Sequence, residues 1–193
     1  RDSGLKKALL LDVYLALQES GNEAATKAAE SFAEANPTNV FALSEFGGET
    51  KRGKFIFENH GACLQCHKVG DIGGVQGPDL SQVALRLKRN QLLESLYNPN
   101  AVITPGFASI TATMKDDSIV MGRLKTEDAK SYQLILPDGK DATINKADIL
   151  EKTPPISAMP PIGAALAPRD LRDVVAYLAT RKANAKKKDA EGH

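Results

Sequence analysis

The sequence has no tryptophan and only two cysteines among its 193 residues, and aromatic residues make up 5% of it. Both cysteines lie in one short motif, so no other cysteine sulfur is left for a disulfide or a thiolate metal site. Hydrophobic residues make up 42% of the chain and charged residues 25%. This composition is enough for a core of normal size and argues against a disordered chain.

Neither a charge excess nor a long apolar run is present. The formal net charge is +1, so the chain lacks the basic field that a nucleic-acid partner requires, and we expect none. No run of roughly 18 or more apolar residues occurs, which predicts no membrane span. No signal peptide is visible and the chain begins at Arg1, so we interpret it as a processed chain or a fragment of a larger protein.

Hydrophobic spacing predicts a mainly α chain. Residues 1–48 are predicted to form a helical hairpin and linker, either a plain packing hairpin or the end of a helical-repeat region. An apolar stripe marks its first helix, formed by Leu5, Leu9, Val13 and Leu17 at intervals of four and widened by Leu10 and Tyr14. Further helices are predicted at about 49–59, 88–97 and 168–182, and a basic flexible tail at 183–193.

The hydrophobic period changes to two near the middle of the chain. Ile110, Met114, Tyr132 and Leu134 belong to alternating runs that are separated by polar turns. Residues 107–145 therefore predict a small antiparallel sheet of three or four strands, inserted in an otherwise helical domain that covers 49–182.

The motif that carries chemistry is Cys63-Leu64-Gln65-Cys66-His67, a C-x-x-C-H run. Two thiols at this spacing can each add to one vinyl group of a porphyrin, and the adjacent His67 can bind the iron. A redox-active dithiol would favour a βαβ context, which is absent, and a zinc site needs about four ligands. The motif therefore predicts one covalently attached haem c. Because this attachment takes place outside the cytoplasm, we expect a periplasmic, secreted or cell-surface protein.

The second axial position of the iron has three methionine candidates. Met114 and Met121 fall in the predicted strands, whereas Met159 precedes two prolines in a loop before the last helix. The prolines stiffen that loop, which favours Met159 as the ligand; the alternative is an open or water-bound site. His60 lies too near the motif to reach the far face, and His193 ends the tail.

Gly77-Pro78-Asp79-Leu80 lies shortly after the motif. An iron-bound histidine normally donates its second N–H to a carbonyl group, and the carbonyl of Pro78 is the candidate. Taken alone, the same residues are typical of a simple turn.

Together these residues resemble class I-like cytochrome c domains. The matching elements are Gly53 and Phe57, residues 63–67, residues 77–80, Met159-Pro160 and Tyr177-Leu178. The resemblance implies that the helix with Gly53 and Phe57 crosses the last helix near Tyr177. It also implies Pro78 as the carbonyl partner of His67 and Met159 as the distal ligand. The interval from His67 to Met159 is longer than a compact cytochrome c needs, and the predicted sheet fills it.

With residues 92–95 and 97–99, that insert resembles the Pirellula/Verrucomicrobium-type haem-binding domain, over about 50–182. Such domains end large secreted proteins that carry a β-propeller similar to quinone-dependent sugar dehydrogenases. The resemblance implies a donor dehydrogenase, fused or separate, and an acceptor cytochrome or oxidase.

The expected function is outer-sphere one-electron transfer, not enzymatic catalysis, because no acid–base pair or nucleophile assembles. One alternative is a haem enzyme or gas sensor with an open distal site, for example a peroxide-reducing one. Another is that the sheet and the hairpin chiefly bind a partner.

Overall fold

A computed structural model of the chain describes residues 2–35 and 39–182. The predicted tail at 183–193, which includes His193, lies outside the described residues. The helices are α1 (Asp2–Glu19), α2 (Glu23–Ala35), α3 (Asn39–Ala42), α4 (Thr50–Phe55), α5 (Arg89–Tyr97) and α6 (Pro168–Leu178). The strands are β1 (Lys68–Val69), β2 (Ile72–Gly73), β3 (Ala108–Met114), β4 (Ile119–Glu127), β5 (Ser131–Ile135), β6 (Asp141–Asn145), β7 (Ile149–Lys152) and β8 (Ile156–Ser157).

Helices α1 and α2 pack as a hairpin, and only part of the predicted stripe of α1 is buried. Asn22 caps α2 by accepting a hydrogen bond from the Ala25 N–H at 3.1 Å. Leu11 and Tyr14 form the hairpin core, whereas Val13 in the predicted stripe is 54% exposed. The spacing identified a helix correctly, but Leu9, Val13 and Leu17 of the predicted stripe are exposed, and of its residues Tyr14 is buried.

The helical core lies where α4 crosses α6. Gly53 sits at the crossing, where a Cβ atom would collide with the Asp173 carbonyl oxygen. One turn further on, the rings of Phe57 and Tyr177 pack with centroids 5.4 Å apart. Ile56, in the π-helical turn that continues α4, joins the same buried cluster, as do residues of α5. The crossing predicted from Gly53, Phe57 and Tyr177 is confirmed.

A buried carboxylate fixes the same crossing. Asp173 is 2% exposed and accepts hydrogen bonds from the Glu49 N–H at 2.8 Å and from Arg52 Nη1 at 3.2 Å. Arg52 also pairs with Asp170, which lies on α6 as Asp173 does. The start of α4 is therefore held to α6 by charge-assisted hydrogen bonds as well as by apolar packing.

The sheet is larger than predicted. It has six antiparallel strands: five run in the order β6-β5-β4-β3-β7, and the sixth, β8, pairs with β3. The predicted three or four strands within 107–145 omit β7 and β8, so a mainly α class with a small sheet understates the sheet. These two strands are short and flank Pro154-Pro155, so neither shows a clear period of two; both are held by pairing with the distant β3.

The sheet has a hydrophobic core of its own. Ile110, Ala112, Leu134 and Ile144 are buried there, apart from the cluster around α4 and α6. Beside the N-terminal hairpin, the chain therefore combines a helical unit, formed by α4, α5 and α6, and a sheet unit, each with its own core.

The N-terminal hairpin docks on the start of α6. Asp12 of α1 pairs with Arg172 at 2.7 Å and with Arg169 at 3.2 Å. Nearby, the buried Ser44 hydroxyl donates to the Pro168 carbonyl at 3.0 Å. Within residues 2–35 and 39–182, no helix is long and apolar enough to cross a membrane.

Candidate functional site

The two cysteines and His67 lie in a tight turn directly after the helical segment that begins with α4. Residues 63–65 form a 3₁₀ turn, and the His67 N–H donates to the Cys63 carbonyl at 2.8 Å. Ala62, just before the turn, has a left-handed φ of 51°, which redirects the chain out of the preceding π-helical turn. In this arrangement Cys66 is exposed, Cys63 is half-buried and His67 is only 9% exposed.

The imidazole of His67 is fixed by Pro78. His67 Nδ1 lies 2.9 Å from the Pro78 carbonyl oxygen, the contact that the sequence analysis expected. A carbonyl oxygen can only accept, so Nδ1 carries the proton and donates it. In the tautomer that carries its proton on Nδ1, the lone pair is on Nε2. That nitrogen is the donor atom that a haem iron requires.

Three glycines let the following loop wrap closely around the motif. The Gly74 N–H donates to Leu64 O and the Gly77 N–H donates to Cys66 O, both at 2.8 Å. A Cβ atom at Gly77 would lie 2.7 Å from Nδ1 and Cε1 of His67, and one at Gly73 would collide with the His67 carbonyl. The loop therefore approaches His67 at a distance that only glycine permits.

The segment after Pro78 is held by a small polar network. The buried Ser81 hydroxyl accepts from the Gly70 N–H at 2.8 Å, and the Asp79 carboxylate accepts from the Ser81 N–H at 2.7 Å. Hydrogen bonding to Ser81 lowers the pKa of Asp79 below its ordinary value. The Leu80 N–H donates to Lys68 O at 2.8 Å, which ties this segment back to the chain just after His67. The carbonyl of Pro78 is thus presented by a fixed backbone.

Met159 lies in the loop between β8 and α6, where it is half-buried. Met159, Cys63 and Leu80 all pack against the same helical core cluster. Met114 packs instead against the separate core of the sheet, and Met121 is 54% exposed on β4. Of the three methionines, only Met159 packs against the core cluster that Cys63 also contacts.

The structure gives little support to a zinc site or a redox-active dithiol, the two alternatives to haem attachment. No group of three or more His, Cys, Asp or Glu side chains that could hold a metal ion occurs within the described ranges 2–35 and 39–182. His60 is exposed, and its ring makes a T-shaped contact with the ring of Phe55, with centroids 5.1 Å apart. Burial raises the pKa of the Cys63 thiol to about 11, whereas a reactive C-x-x-C dithiol depends on a lowered thiol pKa.

The described residues fit a covalently bound haem. Cys63 and Cys66 are free thiols with two residues between them, the buried His67 imidazole is braced through Nδ1, and the Met159 thioether lies on the core cluster that Cys63 also contacts. These are the donor types of a haem with histidine and methionine as axial ligands. This arrangement is typical of one class of protein, a haem-binding domain with a C-x-x-C-H attachment motif.

Residues 50–131 match the family model for cytochrome c, and this match supports a haem-binding cytochrome c domain, a kind of domain that generally transfers electrons. Its cofactor is haem c with iron, covalently attached, and Cys63 and Cys66 followed by His67 fit that attachment. The match covers fewer than half of the residues and ends at the start of β5, so it includes neither Met159 nor α6. A comparison with curated proteins gave no match.

Three residues near the site were not singled out from the sequence. Gly77 belongs to the run 77–80 that the sequence does mark, but its close contact with the His67 ring depends on tertiary placement. Asn100 and Ser157 are bonded to each other near Met159 although they are 57 positions apart. Asn100 lies in a loop and Ser157 in a strand of two residues, and neither setting has a periodic pattern, so no sequence signal marks either of them.

Proposed function

We propose that His67 and Met159 are the axial ligands of the haem attached through Cys63 and Cys66, with Pro78 as the brace of His67. The protein would then carry out outer-sphere electron transfer. The observation that carries this proposal is the 2.9 Å contact between His67 Nδ1 and the Pro78 carbonyl oxygen. It sets the tautomer and the orientation that an iron-binding imidazole requires. When bound, the haem supplies an iron that alternates between Fe(III) and Fe(II).

The chain's own residues then keep the site rigid and open at one edge. His67 is buried and held by Pro78, so its position should change little between the oxidised and reduced states of the iron. Cys66 is exposed, so the attachment point lies at the surface, where a redox partner can approach. A fixed site with an accessible edge suits transfer of an electron without bond making or breaking.

The placement of Met159 favours it over an open distal site. Its side chain is half-buried against the core cluster that Cys63 also contacts, and its backbone N–H is bound at 3.1 Å to the Ser157 hydroxyl. A methionine ligand raises the reduction potential of a histidine-ligated haem, as suits an electron acceptor of a dehydrogenase. An open site would instead serve peroxide reduction or gas sensing.

We further propose an exported setting, with a quinone-dependent dehydrogenase of sugars or alcohols as the electron donor. The support is the sheet inserted between His67 and Met159, together with the N-terminal hairpin. Both features suit the Pirellula/Verrucomicrobium-type domain that the sequence resembles. Stopped-flow reduction by such a dehydrogenase and its sugar tests the donor; no reduction above the rate without sugar would contradict it.

The ligand assignment predicts the spectrum of a Met159→Ala variant. The oxidised wild type should show the weak red absorption band of an iron–methionine bond, and the variant should lose it while keeping covalent haem. Met121→Ala, on the exposed face of the sheet, is the matched control and should keep the band. A wild-type protein without the band, or a Met159→Ala variant that retains it, would favour the open-site alternative.

A further inference from the structure

Strand β8 ends only two residues before Met159. Its two residues pair with β3, Ile156 with Ser109 and Ser157 with Ala108. The edge of the sheet therefore leads directly into the loop that presents Met159. A compact cytochrome c has no such sheet, so this support for the loop is a feature of the inserted unit.

Ser157 makes two hydrogen bonds that connect this edge to Met159. Its backbone N–H donates to Asn100 Oδ1 at 2.8 Å, and its hydroxyl accepts from the Met159 N–H at 3.1 Å. Asn100 lies in the connection between α5 and β3, so the contact also joins the helical unit to the sheet. Ser157 thus has a fixed backbone and uses its side chain to hold the backbone of Met159.

The other side of Met159 is fixed as well. The Ile162 N–H donates to the Pro160 carbonyl at 2.8 Å. Gly163 is buried against α5, where a Cβ atom would lie 3.1 Å from the Leu96 carbonyl oxygen. Between Pro160 and Ser157, the backbone of Met159 has little freedom left. Its side chain has three rotatable bonds, so the position of the sulfur depends on how firmly the backbone is held.

We propose that Ser157 and Asn100 are positioning residues for Met159, and that the edge of the inserted sheet serves to hold the distal ligand in place. The inference rests on the proposed function, in which Met159 binds the iron. A thioether is a weak ligand of iron, and stronger ligands readily displace it. Holding the loop in its bound conformation lowers the entropic cost of forming that bond. A single hydrogen bond contributes about 0.5–1.5 kcal/mol net, which corresponds to a change of about two- to ten-fold in an equilibrium.

Competition by imidazole for the distal position of the oxidised, full-length holoprotein tests the inference. Ser157→Ala and Asn100→Ala each remove one hydrogen bond, and the apparent affinity for imidazole should rise about two- to ten-fold. Ser157→Thr keeps the hydroxyl and Asn100→Asp keeps an acceptor, so both should remain near the wild-type affinity. Thr153→Ala is the matched control, because the Thr153 hydroxyl accepts from the Thr111 N–H at 3.0 Å elsewhere on the same edge.

The outcomes separate the two proposals. If Met159→Ala keeps the red band, the ligand assignment itself is wrong. If Met159→Ala loses the band while Ser157→Ala and Asn100→Ala bind imidazole no better than Thr153→Ala, only the positioning role is overturned. An equal rise in all three alanine variants would indicate general loosening of the sheet and would also overturn it. Should Ser157→Ala fail to fold, the comparison of Asn100→Ala with Asn100→Asp decides the question with Ser157 intact.

Discussion

The orientation of His67 depends on two consecutive residues of the loop that follows the attachment motif. Pro78 accepts the Nδ1 hydrogen bond, and Gly77 leaves just enough room for the ring. A Gly77→Ala variant should push the ring away from Pro78, because the added Cβ would lie 2.7 Å from Nδ1. We expect the free energy of unfolding to fall by about 1–3 kcal/mol, as for other overpacked sites. The reduction potential should shift as well.

Equilibrium unfolding in urea and a redox titration measure the two effects. Gln76→Ala is the neighbouring control, since Gln76 is exposed and its side chain bonds only within the loop. Equal potentials for the two variants would show that Gly77 does not determine the orientation of His67.

The residues of the site differ in how well the sequence predicts them. Cys63, Cys66 and His67 lie in one run, and Pro78 follows closely, so their contact is local and the pattern shows it. Met159 was predicted from its prolines and from the family resemblance. Asn100 and Ser157 are bonded across 57 positions, and their contact exists only because the sheet brings them together.

At the scale of elements, the crossing of α4 and α6 is the contact on which the helical unit depends. Gly53 permits it, because any side chain there would collide with the Asp173 backbone. Gly53→Ala should force the two helices apart and lower the free energy of unfolding by about 3 kcal/mol. Lys51→Ala, at an exposed position of the same helix, should change it by less than about 0.5 kcal/mol.

Thermal or urea unfolding followed by circular dichroism checks this prediction. Equal stability of the Gly53→Ala and Lys51→Ala variants would mean that the crossing can open without cost, contrary to the packing described.

The elements also show where periodicity fails as evidence. Spacing predicted the longer helices but not α3, which lies in the predicted linker, and the Gly53–Tyr177 crossing followed from the resemblance. The buried face of α1 followed only in part, since leucines occur on both sides: Tyr14 is buried as part of the predicted stripe, but Leu11 is buried in place of Leu9 and Val13. Strands β7 and β8 are too short for a pattern, and pairing with β3 alone determines them.

At the scale of the whole molecule, charge holds the hairpin to the helical unit. Hydrogen bonding from Arg172, with a further contribution from Arg169, lowers the pKa of Asp12. A lowered folded-state pKa means that Asp12 stabilises the fold above its unfolded pKa of about 3.9, and that this contribution is lost as the pH falls through the folded value. Asp12→Asn should therefore cost a few tenths to about 1 kcal/mol near pH 7, and nothing well below pH ~4.

Urea unfolding of both proteins across this pH range measures the difference. Glu34→Gln makes the same change of charge at an exposed position of α2 and should cost little at any pH. A cost for Asp12→Asn that does not change with pH would show that the ion pairs do not account for it.

The separate core of the sheet has a consequence for how the chain folds. Strands β3 to β8 all lie between His67 and Met159, and β8 must pair with β3 before the Met159 loop is held. His67 and Pro78, by contrast, can meet as soon as one short loop closes. Loops of that length close in well under a microsecond, whereas pairing distant strands takes far longer. If Met159 is the distal ligand, as proposed, the two sides of the haem site are completed at different times, and the rate of sheet formation determines when the second is finished.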